Sequence, residues 1–164
     1  MNIAIIKLPS DKWHLYRDMR LSALKNTPTA FASSFEQEKQ FNEEVWRQNI
    51  DNMWFAVSHD QLIGMVGLLL IEQKNNTHIG YLVSLWVLPE FQKRKAGQAL
   101  IRELQNFATK NNLIKIALEV TASNREAVGL YEKMGFKKIK LLKNNLLKDG
   151  KYLDEFLMEW EVSR

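Results

Sequence analysis

The eight residues from Tyr81 to Leu88, Tyr-Leu-Val-Ser-Leu-Trp-Val-Leu, are apolar at odd and even positions alike, with Ser84 the one exception. A strand with one face in water alternates apolar and polar side chains, so this run predicts a strand covered on both faces in the middle of a sheet. Pro89 ends it, because proline has no N–H to give to a ladder. Any fold built around such a strand needs apolar layers on both sides. A chain of 164 residues that is 46% hydrophobic can supply them as one domain over residues 1–164.

The flanking patterns fill in those layers. Asn2 to Leu8 reads as a first strand. Ser10 or Asp11 is then placed to cap a helix running to about Lys25, with Trp13, Tyr16, Leu21 and Leu24 facing inward. Thr27-Pro28-Thr29 breaks that helix, 30–40 is a connection, and Asn42 caps a second helix ending near Asp51. Met53 to Ser58 and Gln61 to Gln73 form a hairpin around His59-Asp60, and Asn75-Asn76 turns the chain into the central strand, His78 to Leu88. A helix from about Ala96 to Lys110 follows, with Leu100, Leu104, Phe107 and Ala108 as its inner stripe. Next come a strand from Leu113 to Val120, a short helix after Asn124, and a closing hairpin of Phe136 to Leu147 and Lys151 to Trp160 around Asp149-Gly150. The order β, α, α, three strands, α, β, α, β, β implies a mixed α/β (α+β) class with a largely antiparallel N-terminal sheet.

Composition narrows the environment and the partners. There is no cysteine, which excludes disulfides and fits a reducing cytoplasm. The longest later apolar run, Met65 to Ile71, is far too short to span a bilayer, so a soluble, unprocessed cytoplasmic protein with no membrane partner is expected. Charge is uneven: residues 1–82 hold 8 Lys/Arg against 9 Asp/Glu, and residues 83–164 hold 15 against 10, so the net of +4 comes from the second half. Lys137, Lys138, Lys140, Lys143 and Lys148 fit a guarded sheet edge. Lys93, Arg94 and Lys95, three cations just before a helix, suit a bound polyanion. Nucleic acid is one such polyanion, but the chain shows no helix-turn-helix signature, zinc-ligand spacing or aromatic stacking platform, so no nucleic-acid partner is expected.

The segment Asn124 to Phe136 concentrates the remaining information. Asn124 suits an N-cap and Gly135 suits the left-handed position after the last turn. Between them Ala127, Leu130 and Met134 recur at helical spacing as a buried face. Its Asn-x-x-Ala-x-x-Leu-Tyr-x-Lys-x-Gly-Phe pattern resembles the GNAT superfamily of N-acetyltransferases. The element order matches that superfamily over nearly the whole chain. The resemblance implies an acetyl-CoA-binding N-acyltransferase fold, with a central mixed, mostly antiparallel sheet flanked by helices.

In that superfamily the central strand leads through a proline into Gln/Arg-x-x-Gly-x-Gly/Ala, whose backbone amides wrap the pyrophosphate of coenzyme A. Here the segment runs Pro89-Glu90-Phe91-Gln92-Lys93-Arg94-Lys95-Ala96-Gly97-Gln98, with Gln92 and Gly97 in the matching slots and Lys95 in place of the first glycine. Free N–H groups at a helix N-terminus bind phosphate oxygens with little reorganisation, so backbone access matters more than side-chain identity. A left-handed Lys95 would be strained by roughly 1–2 kcal/mol. The resemblance thus assigns coenzyme contacts to Gln92, Lys93, Arg94, Lys95, Ala96, Gly97 and Gln98. It also gives the backbone of Leu85, Trp86 and Val87 the pantetheine arm as an added strand, and gives Asn124 a polar contact beside its capping role.

Acetyl transfer needs a neutral amine, a polarised thioester carbonyl and a proton for the departing thiolate. By resemblance Tyr131 supplies that proton; a core tyrosine with a satisfied hydroxyl is its other reading. Glu119 matches the general base assigned in ribosomal-protein N-terminal acetyltransferases, with a surface carboxylate as its alternative, and His78, Glu36 and Glu38 as weaker options beside water chains. No metal is implied.

The acceptor is expected to be an amine-bearing small molecule or a peptide N-terminus, chosen by the first helices, their connection and the final hairpin. Trp13, Tyr16, Phe31, Phe35, Phe41 and Trp46 read mainly as core, and Glu36, Glu38, Glu43 and Glu44 as attractors of a cationic amine should some line a cleft. The C-terminal hairpin is compatible with a homodimer that nothing in the sequence requires. Two rival classes stand beside the enzyme: a catalytically silent acyl-CoA-binding regulatory module, favoured by Lys95 and opposed by Tyr131, and a basic nucleic-acid-binding protein.

Overall fold

The computed structural model describes residues 2–163. Its strands are β1 (Ala4–Ile6), β2 (Met53–Ser58), β3 (Gln61–Glu72), β4 (His78–Val87), β5 (Lys115–Thr121), β6 (Lys137–Lys148) and β7 (Lys151–Glu161). The helices are α1 (Trp13–Asn26), α2 (Phe35–Glu38), α3 (Glu43–Ile50), α4 (Ala96–Lys110) and α5 (Arg125–Lys133). In sheet order the strands run β1-β2-β3-β4-β5-β7-β6, which places β4 at the centre of seven. The described pairings are antiparallel except β4 with β5, giving the mixed, mostly antiparallel α/β class expected.

Two compact units divide the chain: Met1–Gly67 with Ser84–Leu100, and Leu68–Val83 with Ile101–Arg164. The first is built on α1 and α3, whose Tyr16, Leu24, Trp46 and Ile50 bury against Phe55 and Met65. Tyr16 stands edge-on to Trp46 at 5.4 Å and to Phe55 at 5.9 Å, a geometry that aromatic quadrupoles favour. Phe31 joins this core, Trp13 and Phe35 pack half-buried against it, and Phe41 is exposed. Most of these aromatics are therefore structural. The second unit centres on β5, parallel to β4 at Gly80↔Ile116 and Tyr81↔Ala117 and antiparallel to β7 along its length. Along β5 every residue from Ile116 to Thr121 is buried except Glu119.

Several local expectations change. The segment Ser10–Lys12 is a 3-10 turn, so Lys12 occupies the N-cap position of α1 without a side-chain bond and neither Ser10 nor Asp11 caps the helix. The 30–40 connection contains α2, closed by a reciprocal Ser34/Gln37 capping box. On β4 the buried positions are Gly80, Leu82 and Trp86, whereas Tyr81, Val83, Leu85 and Val87 are half-buried, so full burial falls on one parity only. On α5 the buried residues are Val128 and Tyr131, with Ala127, Leu130 and Met134 half-buried. The inward face is therefore rotated by one residue from the expected stripe, because the tyrosine ring takes the interior position.

His59 and Asp60, at φ 49° and 61°, make the tight β2–β3 turn, and Asp149 with Gly150, at φ 51° and 74°, the β6–β7 turn. The lysines of β6 lie on an edge strand. Among the described residues no helix is long and apolar enough to cross a membrane, and no group of three or more His, Cys, Asp or Glu could hold a metal ion.

Candidate active site

The first unit carries the end of β4 and the loop into α4. Ser84 interrupts the strand with φ 59°, a left-handed conformation for a residue that has a Cβ. Beyond it, Gly64 of β3 lies so close that an added Cβ would stand 2.9 Å from the Trp86 carbonyl oxygen and 3.2 Å from Val87 Cγ2. Glycine here lets the two strands approach, and Leu88 N donates to Ile63 O at 2.8 Å just beyond. Sequence reading passed over Gly64. A glycine interrupting an apolar strand is the signal that marks such an approach.

Pro89–Phe91 then forms a 3-10 turn, and Gln92 Nε2 donates to Val87 O at 3.2 Å, tying the loop back to the strand. Lys93 and Lys95 are both left-handed, at φ 60° and 69°. Two such residues in three positions turn the chain sharply in front of α4, whose first N–H groups have no intrahelical acceptor. Arg94 lies over the Phe91 ring at 5.9 Å. Lys93, Arg94 and Lys95 are exposed, Ala96 is buried, and Gly97 and Gln98 are half-buried. The seven residues from Gln92 to Gln98 thus form one cationic turn leading into the N-terminus of α4, a setting suited to a phosphate-bearing ligand.

The second unit holds the remaining candidates. Asn124 Oδ1 accepts from Ala127 N at 3.2 Å as the N-cap of α5, which leaves its amide hydrogens for other acceptors. Tyr131 is 7% exposed, with its ring tilted against Phe136 at 5.7 Å. Burial pushes its phenol well above the ordinary tyrosine value, so it holds its proton across the whole neutral range.

Glu119 sits in a polar cluster that spacing did not reveal. Asn145 Nδ2 donates to Glu119 Oε2 at 3.1 Å and to Glu155 Oε1 at 3.0 Å, bridging the two carboxylates. The half-buried Tyr81 has its phenol pushed up, first by burial and then by its hydrogen bond to Glu119 and the charges of Glu119 and Glu155. Glu155 is itself raised, chiefly by burial and further by Glu119, while the Asn145 bond opposes the shift. Among the described residues no hydrogen bond joins Glu119 to Tyr131.

The weaker base candidates fare differently. Glu38 is 5% exposed and bound at both oxygens by Arg20, so it is neither a base nor an amine attractor. Glu36 pairs with Lys39 and Glu43 with Arg47, while Glu44 accepts from Gln48 at 3.4 Å. His78 is half-buried at the start of β4.

Residues 15–136 match the model of the Acetyltransferase (GNAT) family. An N-alpha-acetyltransferase of Saccharolobus solfataricus is 38% identical over 80 residues, which is 48% of this chain and 46% of that protein. A spermidine N(1)-acetyltransferase of Thermoplasma acidophilum is 30% identical over 105 residues, 63% of this chain and 62% of that protein. The matches thus span 46% and 62% of these two relatives' own lengths. In fold the chain is similar to the protein yncA of Salmonella typhimurium, solved with its cofactor acetyl-CoA. The TM-score is 0.84 over 100% of this chain and 96% of that one, at 13% identity.

Proposed function

This chain belongs to the GNAT acetyltransferase family, and from that premise we propose that it moves an acetyl group from acetyl-CoA to a primary amine by direct attack in a ternary complex. The observation that carries the reading is the paired left-handed turn at Lys93 and Lys95 in front of α4, anchored to β4 through Gln92 and Val87. It brings fixed amides and three cations to one place, which is what a pyrophosphate requires.

Bound acetyl-CoA would supply the activated acetyl group and the leaving thiolate. The chain's own residues then divide the work. The loop amides and Lys93, Arg94 and Lys95 hold the phosphates, and the backbone of Leu85, Trp86 and Val87 receives the arm as an added strand edge. Asn124 offers its free amide hydrogens to the same arm. As the amine nitrogen bonds to the acetyl carbon, the carbon–sulfur bond breaks; Glu119 takes the proton lost by nitrogen and Tyr131 Oη donates toward the departing sulfur. Tyr131 suits that task because a phenol keeps its proton at neutral pH until sulfur develops charge. Glu119 suits its task as the one exposed residue between Ile116 and Thr121.

The acceptor is a small amine or a peptide N-terminus, the two classes represented by the relatives' names. A thiol-release assay with acetyl-CoA against polyamines, aminoglycosides, amino acids and short peptides tests the reading. Tyr131→Phe is expected to lose about 10²- to 10⁴-fold in turnover while binding acetyl-CoA nearly as wild type. Unchanged turnover removes Tyr131 from the reaction. Coenzyme binding with no turnover on any amine would instead favour the silent acyl-CoA-binding module.

A further inference from the structure

Arg20 is the one buried charged residue of α1. Its Nε and Nη2 donate to Glu38 Oε1 at 2.9 Å and Oε2 at 2.8 Å, its Nη1 donates to Ser84 Oγ at 2.9 Å, and its guanidinium lies 4.8 Å from the Phe31 ring centroid. A buried ion pair returns little net stability, because desolvating both charges offsets most of their attraction. The third bond is therefore the informative one. It reaches 64 residues along the chain to the single residue of β4 whose backbone is left-handed.

A left-handed serine inside a strand is disfavoured unless its surroundings fix it. The Arg20 bond does so through the hydroxyl, and Glu38 holds Arg20 in turn. Two residues on, Trp86 Nε1 donates to Thr27 Oγ1 at 3.2 Å, so the stretch after the interruption is tied a second time to the segment following α1.

We propose that Arg20 is a positioning residue for coenzyme binding: by holding Ser84 left-handed through Oγ, it sets the direction in which Leu85, Trp86 and Val87 present their backbone to the acetyl-CoA arm. The proposal rests on the reading that those three residues meet that arm. It also gives Glu38 a part, since α2 lies in the connection to which acceptor choice was assigned. One guanidinium therefore links that connection to the coenzyme strand.

The test uses the whole 164-residue chain, acetyl-CoA calorimetry and hydrogen exchange of the 82–88 peptide. Ser84→Ala keeps the Arg20–Glu38 pair and the left-handed cost but loses the hydroxyl, and is expected to weaken acetyl-CoA binding about tenfold. Ser84→Gly also loses the hydroxyl but removes the steric cost, so its loss should be no more than about threefold. The double variant Arg20→Met with Glu38→Met removes both charges together. It should melt near wild type yet bind about tenfold more weakly, with faster exchange in the 82–88 peptide. Both variants lack the Arg20 bond, so alanine against glycine reads the left-handed cost and serine against alanine reads the bond.

Equal binding by Ser84→Ala and Ser84→Gly overturns the proposal, as does wild-type affinity in a folded double variant. If the double variant fails to fold, the loss of affinity from wild type to Ser84→Ala, with its recovery in Ser84→Gly, decides. Wild-type protein that gives no heat with acetyl-CoA overturns the coenzyme reading and this proposal together. Normal wild-type binding with an unaffected Ser84→Ala overturns the positioning role alone.

Discussion

Lys95 stands where the family pattern has a glycine, and its φ of 69° shows that the chain keeps the glycine conformation without the glycine. The cost is the contact between Cβ and the following carbonyl, about 1–2 kcal/mol. Replacing Lys95 by glycine recovers that strain but also frees the unfolded chain, which returns about 0.5–1 kcal/mol of the gain. Comparing Lys95→Gly with Lys95→Ala separates the two effects from charge, since both lose the cation and only alanine keeps the Cβ. Glycine should be the more stable by about 1 kcal/mol, or roughly 2–4 °C in melting temperature for a chain of this size. Affinity should move the other way from wild type in both variants. Loss of one exposed cation beside phosphates is expected to weaken acetyl-CoA about two- to fivefold at low salt, and the difference should vanish near 1 M salt. Differential scanning fluorimetry without ligand and calorimetry at two salt concentrations read both quantities. A Lys95→Ala variant that melts at or above Lys95→Gly refutes the strain, and a salt-independent affinity loss refutes the electrostatic role.

Four further outcomes follow from the structure. Glu119→Gln should lower turnover about 10²- to 10⁴-fold with acetyl-CoA binding nearly intact; unchanged turnover rejects Glu119 as the base. Gly64→Ala, whose Cβ would meet the Trp86 carbonyl at 2.9 Å, should cost about 1–3 kcal/mol and weaken acetyl-CoA binding. Gly80→Ala, whose nearest neighbour at 2.9 Å is the end of the Leu68 side chain, should cost less in chemical denaturation because that end can rotate away. Glu155, raised mainly by burial, binds its proton more tightly folded than unfolded, so its contribution to stability is present below the ordinary carboxylate range and is lost as pH rises through the raised value. Glu155→Gln should therefore melt higher than wild type near neutral pH and converge with it at pH about 4 or below; a gain that grows toward acid would show the opposite sign.

What sequence could foretell in this chain divides by the distance over which each feature is encoded. The central placement of β4, the Asn124 cap and the turn from Gln92 to Gly97 each lie within a dozen residues, so periodicity, capping chemistry and a family motif reach them. The rotated face of α5 lies just past that reach: Ala127, Leu130 and Met134 satisfy helical spacing as well as Val128 and Tyr131 do, and only packing beside Phe136 decides between them. Arg20 with Ser84, 64 residues apart, and Glu119 with Asn145, 26 apart, have no local signature at all. A buried arginine and a mid-strand serine each look like an ordinary surface residue in isolation. Hydrogen bonding makes them informative, because an unpartnered group in those places would cost more than the fold can spare. In this chain the turn before α4 was legible from its own few residues, whereas the Arg20–Ser84 and Asn145–Glu119 contacts come only with tertiary structure.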